Sequence, residues 1–187
     1  MRILIAGASG VLGRATLPHL AGHDVVGLTR TPGRLSLLRE LGAEAEVCDV
    51  YDAAALARIA ERTQPQIVVN FLTDLTTSFA ANSRIRREGA ANVLAAATAV
   101  QASRLVVESV AFPLTGDSAD ALAELERSTG TFPGEALILR FGLFWGPDTF
   151  HESEPDPPAI HVDEAGVQAA RLILEGAPGT HVVTETG

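Results

Sequence analysis

Arg2-Ile3-Leu4-Ile5-Ala6-Gly7-Ala8-Ser9-Gly10-Val11-Leu12-Gly13 opens the chain, and its reading decides the fold. A short apolar strand, Arg2–Ala6, runs into glycines at 7, 10 and 13 and then into a helical stretch, Val11–Ala21. Each glycine has a separate job at a first strand-to-helix turn. One makes the tight turn, one lets a diphosphate approach the backbone, and one lets helix pack close to strand. The free N–H groups of the helix's first turn, with the helix dipole, then hold phosphates. Position matters as much as spacing, because the glycines follow a buried strand and precede a helix.

Outward from this turn, short β-branched runs alternate with Ala/Leu-rich stretches. The expected strands are Arg2–Ala6, Asp24–Leu28, Ala45–Cys48, Gln66–Phe71, Arg104–Glu108, Glu135–Arg140 and Thr180–Val183. The expected helices are Val11–Ala21, Arg34–Leu41, Ala53–Arg62, Ala81–Val100, Ala119–Ser128 and Glu164–Glu175. The strand cores are apolar throughout instead of alternating, as parallel strands covered by helices on both faces must be. Strand, helix, strand repeated along the chain predicts an α/β fold of Rossmann type, a doubly wound parallel sheet in three layers. No boundary divides the 187 residues, so one domain, 1–187, is expected. Residues 146–187 supply only a reduced substrate-side loop, a helix and a strand. Gly146–Ala159 combines four prolines with four acids and reads as an irregular loop.

The end of the second strand selects the dinucleotide. An acid there would grip the ribose hydroxyls of NAD, but Val26–Arg34 contains none and Asp24 lies at the wrong end. Arg30, seconded by Arg34, suits a 2′-phosphate, so NADP is favoured over NAD. Asp49-Val50, after the third strand, can accept the adenine amino group.

Composition narrows the chemistry. A net charge of −9 disfavours nucleic acid and anionic membranes as partners. One cysteine, Cys48, excludes an intrachain disulfide and a cysteine zinc site. All 14 basic residues are Arg and the only Tyr is Tyr51. A P-loop lysine, a Schiff base and a Tyr–Lys pair are therefore excluded. The N-terminus reads as neither signal peptide nor membrane span, which predicts a cytoplasmic protein.

The sequence resembles the short-chain dehydrogenase/reductase superfamily in its extended or atypical branch, which includes sugar-nucleotide epimerases and dehydratases. The likeness runs nearly end to end, through GASGVLG, Asp49-Val50, REGAANVLAAA, LVVESVA, LILRFGLFWGPDT and IHVDEAG. It implies that Gly7, Ser9, Gly10, Val11, Leu12 and Gly13 lie on the diphosphate and that Arg30 meets the adenosine ribose. It places Asp49 and Val50 at the adenine, and Phe71, Leu72 and Thr73 along the cofactor after the fourth strand. Ser109 looks like the family's serine that hydrogen-bonds a substrate carbonyl. The resemblance also implies a homodimer through the fourth and fifth predicted helices, 81–100 and 119–128.

The departures bear on mechanism. The family's Tyr acid/base and its Lys are absent between Ser109 and Arg140, a segment that is itself shortened. The Asn usual in the fourth helix is Arg86. A carbonyl reduction needs a proton donor matched to the developing alkoxide. Asp74, Glu108, Asp148, His151 and His161 are the candidates on the rim, with Asp74 beside the expected nicotinamide. His151, Glu152, Glu154, Asp156, His161 and Asp163 cluster without a spacing that fixes a metal, and Asp163 is expected to cap the last helix. The expectation is an NAD(P)-dependent oxidoreductase or epimerase/dehydratase-like enzyme acting on a small molecule through Ser109 and a substitute acid. The alternative is a dinucleotide-binding protein without redox activity, a sensor or a non-redox isomerase or lyase.

Overall fold

In the computed structural model, which describes residues 1–185, seven parallel strands form one sheet in the order β3-β2-β1-β4-β5-β6-β9. These are β1 (Arg2–Ala6), β2 (Asp24–Thr29), β3 (Glu44–Val47), β4 (Ile67–Asn70), β5 (Arg104–Val110), β6 (Glu135–Phe141) and β9 (Gly179–Val183). The order reverses between β1 and β4, which pair directly from Ile3↔Ile67 to Ala6↔Asn70. Helices rise to opposite faces on either side of that reversal, leaving a crevice at the carboxyl ends of the strands.

Helices α1 (Val11–Thr16), α2 (Leu35–Glu40) and α7 (Val162–Glu175) cover one face. Their core partners include Ile3, Ile5, Val106, Leu137 and Leu139. Helices α3 (Ala53–Thr63), α5 (Ala90–Ala99) and α6 (Gly116–Thr129) cover the other, against Leu4, Val68, Leu105 and Val107. Successive strand residues thus enter opposite hydrophobic layers, which is why the strands read as unbroken apolar runs. Burying each such Leu, Ile or Val side chain contributes about 1.5–3 kcal/mol.

All seven expected strands are present, displaced by two residues at most at an end. Four local differences have identifiable causes. The first helix leaves α geometry at Thr16 and finishes as a 3₁₀ turn, Leu17–Leu20, because Pro18 lacks the N–H that would continue it. The expected helix 81–100 starts two residues earlier, as α4 (Phe79–Arg84), where the Ser78 side chain accepts from Ala81 N at 3.0 Å. A π-helical turn, Ile85–Gly89, then joins α4 to α5. The segment after β6 is less irregular than expected, since β7 (Leu143–Trp145) pairs in parallel with β8 (Ala159–His161). Finally, the cap of α7 is His161, whose Nδ1 accepts from Asp163 N at 3.3 Å; Asp163 lies inside the first turn.

Candidate active site

The glycine turn is fixed by contact. Gly7 has φ +86°, and a Cβ there would come within 2.3 Å of the Phe71 carbonyl oxygen. A Cβ on Gly13 would come within 2.5 Å of Ala8 O, so the third glycine seats the helix on the loop. Gly10 is different: its nearest atom would be Gly7 O at 3.2 Å, and its outer side faces the crevice. The first N–H groups of an α-helix have no acceptor within it, and Val11 and Leu12, which open α1, line the same space. Ser9 Oγ shares a 2.9 Å hydrogen bond with Thr29 Oγ1, tying the turn to the end of β2.

The crevice is a cleft of about 740 Å³. Every expected cofactor residue lines it except Gly13, which lies behind the loop, and Asp74 and Ser109 line it too. At its outer end, the Arg30 guanidinium donates two hydrogen bonds to Asp74, from Nη1 and Nη2, each 3.0 Å. Arg34 Nη1 donates to the Ser9 carbonyl at 2.6 Å. Arg30, with help from Thr77 Oγ1, holds the Asp74 carboxyl below its ordinary range, although burial opposes them. A carboxylate so held is a poor proton donor. Asp49 Oδ1 accepts from Tyr51 N at 3.0 Å, and Asn92 Nδ2 donates to Val50 O at 2.8 Å, which steadies the loop after β3. Tyr51 carries the Arg84 guanidinium 4.3 Å above its ring. The lone phenol shares no hydrogen bond with Ser109 among the described residues, and four strand spacings, roughly 19 Å at about 4.8 Å each, separate β3 from β5.

At the inner end, the Ser109 hydroxyl is buried and donates to Glu126 of α6. Arg140 of β6 grips the same carboxylate, with Nε 2.8 Å from Oε1. That hydrogen bond lowers the Glu126 pKa against the desolvation that would raise it. Glu108, one residue before Ser109, lines the same cleft. Burial pushes its carboxyl up to about 7, with only partial relief from the charge of Arg86. The three arginines of 84–87 separate completely. Arg84 pairs with Glu88 at 2.9 Å, and Arg87 with Asp117 at 2.7 Å and Glu124 at 3.1 Å. Arg86, on the π-helical turn, faces the cleft.

The sequence pointed to these residues but not to the apolar rim. Phe112, Phe144 and Phe150 line the inner cleft, and the last belongs to the loop after β7. Arg14 of α1 reaches that loop through Asp148 at 2.9 Å. Only the exclusion of Phe150 from any regular element could have flagged it.

The model of the NAD dependent epimerase/dehydratase family matches residues 3–128. The chain belongs to that family. It is 34% identical to a 3-diazoavenalumate denitrifying reductase from a Streptomyces species, over 99% of this chain and 76% of that protein. The aligned stretch spans 238 positions against the 187 residues here, so that relative holds additional segments inside the matched region. Among solved structures, the Bordetella bronchiseptica enzyme WbmG in complex with NAD superposes with a TM-score of 0.80 at 20% identity, covering 98% of this chain and 72% of that one. The UDP-glucose 4-epimerase of Thermus thermophilus in complex with NAD gives 0.81 at 16%, covering 98% and 78%. By family, then, this is an oxidoreductase- or epimerase-type enzyme of a nicotinamide dinucleotide. The cradle at Gly7 and Gly10, with the first turn of α1 beside it in the cleft wall, fits that cofactor class. No helix among the described residues is long and apolar enough to cross a membrane.

Proposed function

We propose that the chain is a reductase of small molecules that prefers NADP and works on an acceptor needing no phenolic proton donor. The observation that carries this reading is the cleft itself. It joins an intact glycine turn to an inner end where Ser109 is committed to Glu126 and the Tyr–Lys pair is absent. When bound, the dihydronicotinamide supplies a hydride.

A carbonyl acceptor would become an alkoxide and call for an acid at that point. The diazo group in the name of the similar Streptomyces reductase makes a smaller demand. An aryl diazonium that takes up a hydride, two electrons with one proton, ends as an arene and N₂, with no alkoxide to protonate. Where a proton is needed, Glu108 is the carboxyl able to hold one near neutrality. On this reading Gly7, Ser9, Gly10, Val11 and Leu12 receive the diphosphate, with Gly13 supporting them from behind. Asp49 and Val50 receive the adenine, Phe71, Leu72 and Thr73 line the cofactor, and Arg30 and Arg34 turn to the 2′-phosphate. A homodimer through the helical rod 79–99 and α6 belongs to the same proposal, as does a cytoplasmic location.

The experiment is isotopic. Purified protein is given NADPH deuterated at the transferable position, with aryl diazonium and carbonyl acceptors and enzyme-free controls. Deuterium in the product supports reduction. Tight dinucleotide binding with no transfer to any acceptor favours the second reading, a binding protein without redox chemistry, for which the locked Ser109 already argues.

A further inference from the structure

Arg86 breaks the pattern of its neighbours. Its side chain is buried, at 7% exposure, yet it makes no hydrogen bond or ion pair among the described residues, while Arg84 and Arg87 are each matched to carboxylates. The side chain is largely withdrawn from bulk solvent, yet its nitrogens are not sealed in; they lie in the wall of the cleft with no protein acceptor among the described residues, open to one that enters. Its surroundings leave that partner to come from the cleft. Desolvation weakens the charged form of Arg86, and Glu108 is the one carboxylate whose charge bears on it. Burial raises the Glu108 carboxyl to about 7, and no ion pair joins it to Arg86 among the described residues.

We infer that the inner end of the cleft is an anion site, in which Arg86 docks the carboxylate of an aromatic substrate while Phe112, Phe144 and Phe150 enclose its ring. The guanidinium fork matches a carboxylate in geometry and charge. The ring is argued from the rim: Phe150 lines the cleft with 75% of its surface exposed, so its face is available to a flat group bound there. Phe144 lies 5.4 Å from the buried Phe141, which backs it with a fixed aromatic wall. A π-helical turn is a frequent way to aim one side chain into a functional site, and Arg86 sits on one. The inference rests on the proposed reading of the cleft as a dinucleotide site with a small-molecule end, and it names the class of that small molecule.

The test compares cinnamate with cinnamamide, which keep one shape and differ in charge, by calorimetry on the full chain with and without saturating NADP⁺. Cinnamate should bind at least tenfold more tightly. Arg86→Gln should erase the preference, and Arg84→Gln, an exposed neighbour on the same rod, should preserve it. Arg86→Lys keeps the charge without the fork and should retain an intermediate preference, which covers the case of a Gln variant that does not fold. Equal binding of acid and amide by the native chain, or no binding of either, overturns the inference. So does an Arg86→Gln variant that keeps the preference, or one that instead loses tenfold or more of its NADP⁺ affinity, which would assign Arg86 to the cofactor's diphosphate. Failure of the native chain to bind NADP⁺ or NAD⁺ would sink the reading of the cleft alone, because the acid-to-amide ratio without dinucleotide still decides the role of Arg86.

Discussion

Arg30 and Asp74 meet across the outer cleft in a two-pronged pair, with both nitrogen–oxygen distances at 3.0 Å. They are 44 residues apart in the chain and stand on the two sides of the sheet's reversal, one after β2 and the other after β4. The guanidinium proposed to receive a 2′-phosphate is therefore already satisfied by a protein carboxylate, and a phosphate must compete with it.

That competition sets the first prediction. Arg30→Ala should weaken NADPH about tenfold, or ~1.4 kcal/mol, and leave NADH nearly unchanged. Asp74→Asn should act in the opposite direction and tighten NADPH, because the guanidinium no longer has to leave a charged partner. Titration of both nucleotides into both variants checks the pair. Equal losses for the two nucleotides in Arg30→Ala would remove the 2′-phosphate assignment.

Ser109 is the second case, where a structural role competes with a catalytic one. Its hydroxyl completes a network in which Arg140 and Ser109 together satisfy Glu126. Ser109→Ala should cost about 1 kcal/mol, a fall in Tm of roughly 2–4 °C for a domain of this size. Turnover, where it can be measured, should change by less than about tenfold. A large loss of turnover with Tm unchanged would return Ser109 to the chemistry.

The sheet was legible because parallel strands buried on both faces leave continuous apolar runs, and the glycine turn because three steric jobs fall at fixed spacing. What stayed hidden was pairing at a distance. Nothing near Arg30 announces Asp74, and nothing near Ser109 announces Glu126, since both contacts depend on which strand ends lie side by side. The fates of Arg84, Arg86 and Arg87 turn on helical phase, and a π-helical turn shifts that phase without a sequence signal of its own. Strands β7 and β8, with three residues each, are too short for any periodicity to register.

Glu108 gives a prediction in pH. Its folded-state pKa, about 7, lies above the ordinary 4.5 because burial disfavours the charged form. Between those values the folded chain holds a proton that the unfolded chain has released, so stability falls as pH rises through that window. The contribution should be on the order of 2 kcal/mol between pH 5 and pH 8, less any solvent screening from the cleft. Glu108→Gln should flatten this slope. Denaturant midpoints across pH measure it, and an unchanged slope in the variant would mean that another group titrates there.

The glycines at 7 and 10 separate folding from binding. A methyl group at Gly7 meets the Phe71 carbonyl and must also adopt φ +86°, so Gly7→Ala carries both overlap and backbone strain. A loss of about 3 kcal/mol is expected, and with it a fall in Tm of roughly 6–12 °C. At Gly10 the methyl meets only Gly7 O at 3.2 Å, which a small shift relieves, but it projects toward the space where the diphosphate would approach the amides. Gly10→Ala should therefore keep Tm within about 3 °C of the native chain while dinucleotide affinity drops tenfold or more. Scanning calorimetry and nucleotide titration on the two variants give the comparison. Should Gly10→Ala bind NADPH as tightly as the native chain, the main-chain amides of this turn are not what holds the nucleotide.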